Sequence, residues 1–249
     1  MQPYAFPYLG YFQLIAAVDR FVILDDVDFI KRGWINRNVL ADRGGPVKFT
    51  IPVITPKRGQ LICTMQLHDP DVHQRRLLTK IRHVYHNAPC YQRAFPTLEK
   101  AISYSGDDLA GYLHHSLAVL ADYLAIETPF FRASQCHERA SARGQERIIE
   151  ICRAEGANIY INPEGGLDLY DSKAFRDAGI ELKFLVHQPR EHRQNAGEFI
   201  PRLSIIDTIM FNGPPELARL LKEFKLLIKQ GRDPTICPVR VGQGPNCLK

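Results

Sequence analysis

A strand, a glycine-bearing loop, a short helix and a second strand follow one another between residues 158 and 186, and this order constrains the fold more than any other stretch. The first strand is Asn158-Ile-Tyr-Ile161, and the loop is Asn162-Pro163-Glu164-Gly165-Gly166. A helix is predicted at 172–178 and the returning strand at 180–186. A helical crossover brings the second strand back parallel to the first. The fold class expected is therefore α/β, a Rossmann-like parallel sheet with helices on both faces. Residues 21–24, Phe-Val-Ile-Leu, read as another buried strand, apolar throughout and ending in acids.

Other segments fill in around this unit. Residues 10–18 make about two helical turns with Phe12, Leu14, Ile15 and Val18 available for burial. Residues 1–4 read as the end of a strand, and since strands need five or six residues its beginning is expected upstream of Met1. Residues 47–53 alternate like a strand. A run of helices is predicted at 71–86, 91–103 and 107–125, the last capped by Asp107 or Asp108. A strand at 128–133 and a helix at 144–155 follow. Helices at 203–211 and 215–229 are expected to close the fold. The reading is one α/β domain over 1–229, with a helical insertion at about 71–126 and a C-terminal helical part. Residues 230–249, rich in Gly and Pro, read as a disordered tail.

Composition restricts the partners. The net charge is +5 over 249 residues, which favours small anionic ligands but is too scattered for nucleic-acid binding. The six cysteines make no close pair, so neither a zinc nor a redox site is expected. No apolar run approaches about 18 residues, so no transmembrane segment is expected. A cytoplasmic protein with free thiols follows.

In open α/β sheets, ligands bind where loops gather at the carboxyl ends of strands. Three polar groups fall there. The first is the Tyr- and Pro-rich loop with Gln2, Tyr8, Gly10 and Tyr11, which opens a helix N-terminus suited to an anion. The second is Asp25 and Asp26, whose side chains point to opposite sides of an extended segment. One is expected to act as a base or bind a sugar hydroxyl. Just beyond lie Lys31, a further catalytic candidate, and Arg32, Trp34, Asn36 and Arg37. The arginines can grip phosphate or carboxylate, and Trp34 can stack on a ring. The third is Asn162, Gly165, Gly166, Tyr170 and Asp171, of which Asp171 equally suits a helix cap. His187 and His192 follow the strand at 180–186 and stand behind these as ligand-edge candidates. Asp207, inside an apolar run, needs a buried partner or serves a site. No histidine pair has metal spacing, so no metal is assigned and no cofactor is named.

Three stretches together resemble one family: MQPYAFPYLGYFQLI, then FVILDDVDFIKRGWINRN, and GQERIIEICRAEGANIYINPEGGLDLYD. They are similar to the WbqC-like protein family over residues 1–229. Members often lie in gene clusters for O-antigen and other bacterial surface polysaccharides. The resemblance implies a role in making or modifying a sugar precursor. The leading reading is a transferase of an acyl, aminoacyl or related group on a nucleotide-activated sugar, with a phosphate-bearing small molecule as partner. A weaker resemblance, to the strand–loop–helix opening of nucleotidylyltransferases, rests on residues 7–15. There, Tyr8 and Tyr11 stand where those enzymes have two histidines. Tyrosine carries no positive charge at neutral pH, so adenylyl transfer is the second reading. A non-catalytic binding role in a glycan-synthesis complex is the third.

Overall fold

The computed structural model describes residues 1–138, 142–230, 233–237 and 247–248. Helix α1 (Leu9–Ala16) precedes strand β1 (Phe21–Ile23). Strands β2 (Arg37–Asp42) and β3 (Gly45–Thr50) form an antiparallel hairpin. Its two-residue turn is Arg43-Gly44, and Gly45 beside it has φ +106, a conformation that glycine adopts at no steric cost. The predicted helical run holds α2 (Pro70–Tyr85), α3 (Tyr91–Ile102) and α4 (Leu109–Tyr123). Asp108 caps α4 by accepting from the Gly111 amide at 2.6 Å.

Beyond it come β4 (Phe130–Arg132), the short α5 (Ala133–Cys136) and α6 (Gly144–Ala154). Strand β5 (Ile159–Pro163), α7 (Ser172–Asp177) and β6 (Glu181–His187) form the predicted crossover unit. β5 and β6 pair in parallel from Ile159↔Glu181 to Pro163↔Leu185. Helices α8 (Ile205–Phe211) and α9 (Pro214–Leu220) lead to β7 (Phe224–Gln230), β8 (Asp233–Cys237) and β9 (Cys247–Leu248).

Among the described residues the strands divide into three sheets, which corrects the expectation of one Rossmann-like parallel sheet. β1 pairs in parallel with β4, the hairpin stands alone, and the third sheet runs β8-β7-β6-β5-β9. That sheet is mixed, because β7 runs antiparallel to both β6 and β8. Residues 224–229 were predicted as helix. They are a strand because Phe224 to Ile228 pair with His187 to Lys183, and tertiary pairing overrides local propensity. Residues 233–237 pair with β7 where a disordered tail was expected. Residues 231–232, 238–246 and 249 of that tail lie outside the described residues. At the other end, the Met1 amine donates to Val22 O at 2.8 Å and Leu24 N donates to Met1 O at 2.9 Å. Pro3 has no N–H to continue this ladder.

The β5–β6 pair is covered on both faces. Tyr160, Leu182 and Phe184 pack with Ile148, Ile151 and Phe175 of α6 and α7. Ile161 and Leu185 join the larger core, which contains Leu14 and Ile15 of α1 and the faces of α2, α3, α4 and α8. Helix α1 is buried from Leu9 to Ile15 for this reason. The ends of β5 and β6 and the start of α1 thus meet at one place.

Candidate functional site

That meeting place is a cleft of about 380 Å³, counting its open mouth, lined by Tyr8, His187, Arg190, His192, Arg202 and Asp207 with apolar walls from Leu9, Phe199 and Leu203. β6 delivers His187 at its last residue, and the irregular segment 188–204 carries Arg190, His192 and Arg202 over the opening.

His187 is oriented by Gln13 of α1. The Gln13 amide nitrogen donates to Leu220 O at 2.7 Å and Glu223 O at 2.9 Å. Its oxygen therefore faces His187 Nδ1, 2.8 Å away, and must accept. This assigns the proton to Nδ1 and leaves Nε2 with the lone pair. Burial, helped by the Arg202 charge, lowers the His187 pKa to about 4. His187 is accordingly a neutral base at pH 7.

His192 is the opposite case. Burial pulls its pKa down, but hydrogen bonding to Asp207 and to the Arg190 carbonyl, with the Asp207 charge, outweighs burial and the net shift is upward. Its Nε2 lies 3.3 Å from Asp207 Oδ2. Asp207 is fully buried, and its other oxygen accepts from the Tyr85 hydroxyl at 3.1 Å. This answers the question raised by an acid in an apolar run: the partners are a histidine and a tyrosine.

The Tyr8 ring meets His187 edge-on with centroids 5.2 Å apart. Gly10 permits this, since a Cβ there would run into the Tyr8 ring and lie 2.9 Å from His187 Cβ. Burial raises the Tyr8 pKa, Arg202 lowers it and Glu164 raises it, so the phenol stays protonated. Arg202 donates to Glu164 at 2.5 Å but is half exposed. Arg190 likewise pairs with Glu223 while half exposed. Both guanidiniums have donors left for a ligand.

The loop carrying Tyr8 is built from afar. Asn38 donates to the carbonyls of Ala5 and Phe6 at 2.9 and 2.8 Å, and Ser204 Oγ donates to Phe6 O at 2.8 Å. Phe6 itself sits at φ 45, a conformation that L-residues adopt at a cost. These bonds hold it there.

Of the residues singled out from sequence, Tyr8 lines the cleft and Gly10 makes room in it. Tyr11 is in the core, donating to the carbonyl of half-buried Gln2 at 2.9 Å. Asp25 is fully buried and saturated. It accepts from Arg132 Nε at 2.7 Å and from Ser134 N and Oγ at 2.9 and 2.6 Å. Asp26 points elsewhere, as an extended segment requires, and pairs with Arg147 at 2.8 Å. Its other oxygen is buried without a hydrogen-bond partner among the described residues.

Lys31, Arg32 and Trp34 are exposed and do not line the cleft. Asn36 donates to Ile51 O at 2.8 Å, holding the hairpin, and Arg37 is half buried with one guanidinium nitrogen unpartnered among the described residues. Asn162 donates to the Tyr160 hydroxyl at 2.6 Å, and its oxygen lies over Gly166. Gly165 is in open space. The Tyr170 ring packs edge-on against Tyr160, and Asp171 caps α7 through Lys173 N at 2.9 Å. The Asn162 and Tyr170 loop adjoins the cleft through Glu164. Arg190 and Arg202 escaped sequence reasoning, because loop arginines without periodicity carry no local signal.

Among the described residues no cluster of three or more His, Cys, Asp or Glu side chains is arranged to hold a metal. No helix there is long and apolar enough to cross a membrane.

A mixed α/β fold with a cleft lined by two histidines, two arginines and a tyrosine is the setting in which comparison becomes informative. Residues 2–219 match the WbqC-like protein family, and the chain belongs to it. It is 28% identical over 212 residues to the uncharacterized protein Rv1507c of Mycobacterium tuberculosis, covering 83% of this chain and 89% of that one. No solved structure matches.

Proposed function

We propose that the cleft is the active site of a group transferase acting on a phosphate-bearing small molecule, of which a nucleotide-activated sugar is the class favoured by the family resemblance. The observation that carries this reading is the pairing of a neutral, Gln13-oriented His187 with an Asp207-bound His192 and two half-free arginines around one opening. Arg190 and Arg202 hold the phosphate through charge-assisted hydrogen bonds. His187 Nε2 accepts the proton from an acceptor hydroxyl or amine as that atom attacks the acyl carbon of an activated acyl donor. Collapse of the tetrahedral intermediate then breaks the bond to the donor's leaving group, which takes the proton back from Nε2. The oxyanion that forms lies among the remaining guanidinium N–H donors of Arg190 and Arg202, while His192 is held in the wall by Asp207 and the Arg190 carbonyl. Within this reading the protein serves surface-polysaccharide synthesis in the cytoplasm.

The test is a thermal-shift and turnover screen of nucleotide sugars on the wild type, Arg202→Ala and His187→Gln. Binding is expected in the wild type and weakened about tenfold or more in Arg202→Ala. His187→Gln should still bind but lose turnover. If no nucleotide sugar raises the melting temperature, the assignment fails. Stabilisation by ATP alone, with pyrophosphate release, would move the chain to nucleotidyl transfer instead.

A further inference from the structure

Two loops leave the open end of the hairpin side by side. Asn36 O accepts from Ile51 N at 2.7 Å, and further out Phe29 N donates to Gln60 O at 2.8 Å while Asp28 bridges Leu61. Segments 28–34 and 54–60 therefore form one protruding tip. Five large hydrophobic side chains are exposed among the described residues, and three are here: Ile30 at 52%, Trp34 at 55% and Ile54 at 50%. Interleaved with them are Lys31, Arg32, Lys57 and Arg58, all exposed and none in an ion pair among the described residues. The acid on the tip is Asp28.

We propose that this tip docks the protein on an anionic phospholipid surface. Three apolar groups on one knob are more than scattered surface hydrophobes require. Tryptophan has an apolar body and one polar N–H, which suits the headgroup boundary. Four cations against one acid supply attraction to an anionic leaflet, and the range of that attraction is about a Debye length. Arg32 sits at φ 64, in a turn on which Ile30, Lys31 and Trp34 are all exposed. The tip shares no residue with the cleft, and its role stands independently of the transferase reading.

Trp34 is the chain's single tryptophan, so its fluorescence reports this tip alone. The experiment adds vesicles of phosphatidylcholine, with or without phosphatidylglycerol, to the full chain. With phosphatidylglycerol, emission should move to shorter wavelength and iodide quenching should fall, and high salt should reverse both. Lys57→Gln and Arg58→Gln should each weaken partitioning about fivefold, and Ile30→Ser with Ile54→Ser should abolish it, with circular dichroism unchanged. An unshifted spectrum on every vesicle overturns the proposal. So does equal, salt-independent binding to phosphatidylcholine, or binding that the Ile30→Ser/Ile54→Ser variant keeps. Emission that is already short and depends on protein concentration without vesicles would assign the tip to a second copy of this chain and overturn it too.

Discussion

Asp207 and His192 are hydrogen-bonded at 3.3 Å, a fully buried carboxylate to an imidazole on the cleft wall, joining α8 to the segment that covers the opening. Removing the charge should reverse the histidine's shift, because burial then acts with less opposition. In Asp207→Asn the His192 pKa should fall below the wild-type value, as read by NMR titration. The sign for stability follows from the raised folded pKa. The pair's contribution is complete below the unfolded value of 6.5 and is lost as pH rises through the folded value. Wild type and Asp207→Asn should therefore differ most in melting temperature on the acid side of that window. An unchanged His192 titration in the variant would contradict the pairing.

His187 and His73 carry the opposite sign. Burial lowers both to about 4, so the unfolded chain binds more protons between about 4 and 6.5. Stability should fall as pH drops through that range, by at most about 3 kcal/mol for each group. His73 is buried beside the Tyr112 ring, its Nε2 without a hydrogen-bond partner among the described residues. His73→Phe should flatten part of the acid limb of a urea-denaturation series. A limb of unchanged slope would show that His73 is solvated.

Asp25 is an anchor between β1, β4 and α5. Asp25→Ala leaves the Arg132 guanidinium, which is only 14% exposed, without its closest carboxylate. Breaking a buried pair from one side costs about 3–5 kcal/mol. Equilibrium unfolding should show a loss in that range. A change below about 1 kcal/mol would mean that Arg132 swings to Asp108, now 3.7 Å away.

Gly10→Ala adds one carbon where Tyr8 and His187 already meet. Overpacking of this kind costs about 1–3 kcal/mol. The Tyr8 ring must move, so ligand affinity should fall along with stability. Tyr8→Phe, which keeps the ring, separates the two effects: its stability should stay near wild type. Normal ligand binding by Gly10→Ala would place the ligand away from Tyr8.

The parts of the fold readable in sequence were those whose signal is local. The leucines of α4, the cap at Asp108 and the β5–α7–β6 order each declare themselves within about 30 residues. β7 did not, because Leu226, Leu227 and Ile228 suit a helix as well as a strand until β6 is there to pair with. The β2–β3 hairpin was half visible, since the alternation at 47–53 was legible but Arg37 read as part of a binding loop and residues 39–42 carried no signal. The cleft was legible only in pieces. Tyr8 and Gly10 stood out in a dense motif, and Asp207 stood out as an acid among isoleucines. Their meeting with His192 and Arg202 depends on an irregular segment that has no periodicity to read.

The amide of Asn38 and the hydroxyl of Ser204 both fasten the carbonyl of Phe6, the latter across 198 positions of chain. The first loop of the protein therefore lacks one of its clasps until the residues near 204 exist. On a ribosome it must wait while nearly the whole domain is synthesised, with its tyrosines and prolines unpaired. Contacts this distant in sequence slow folding. The cleft should thus be among the last features to form.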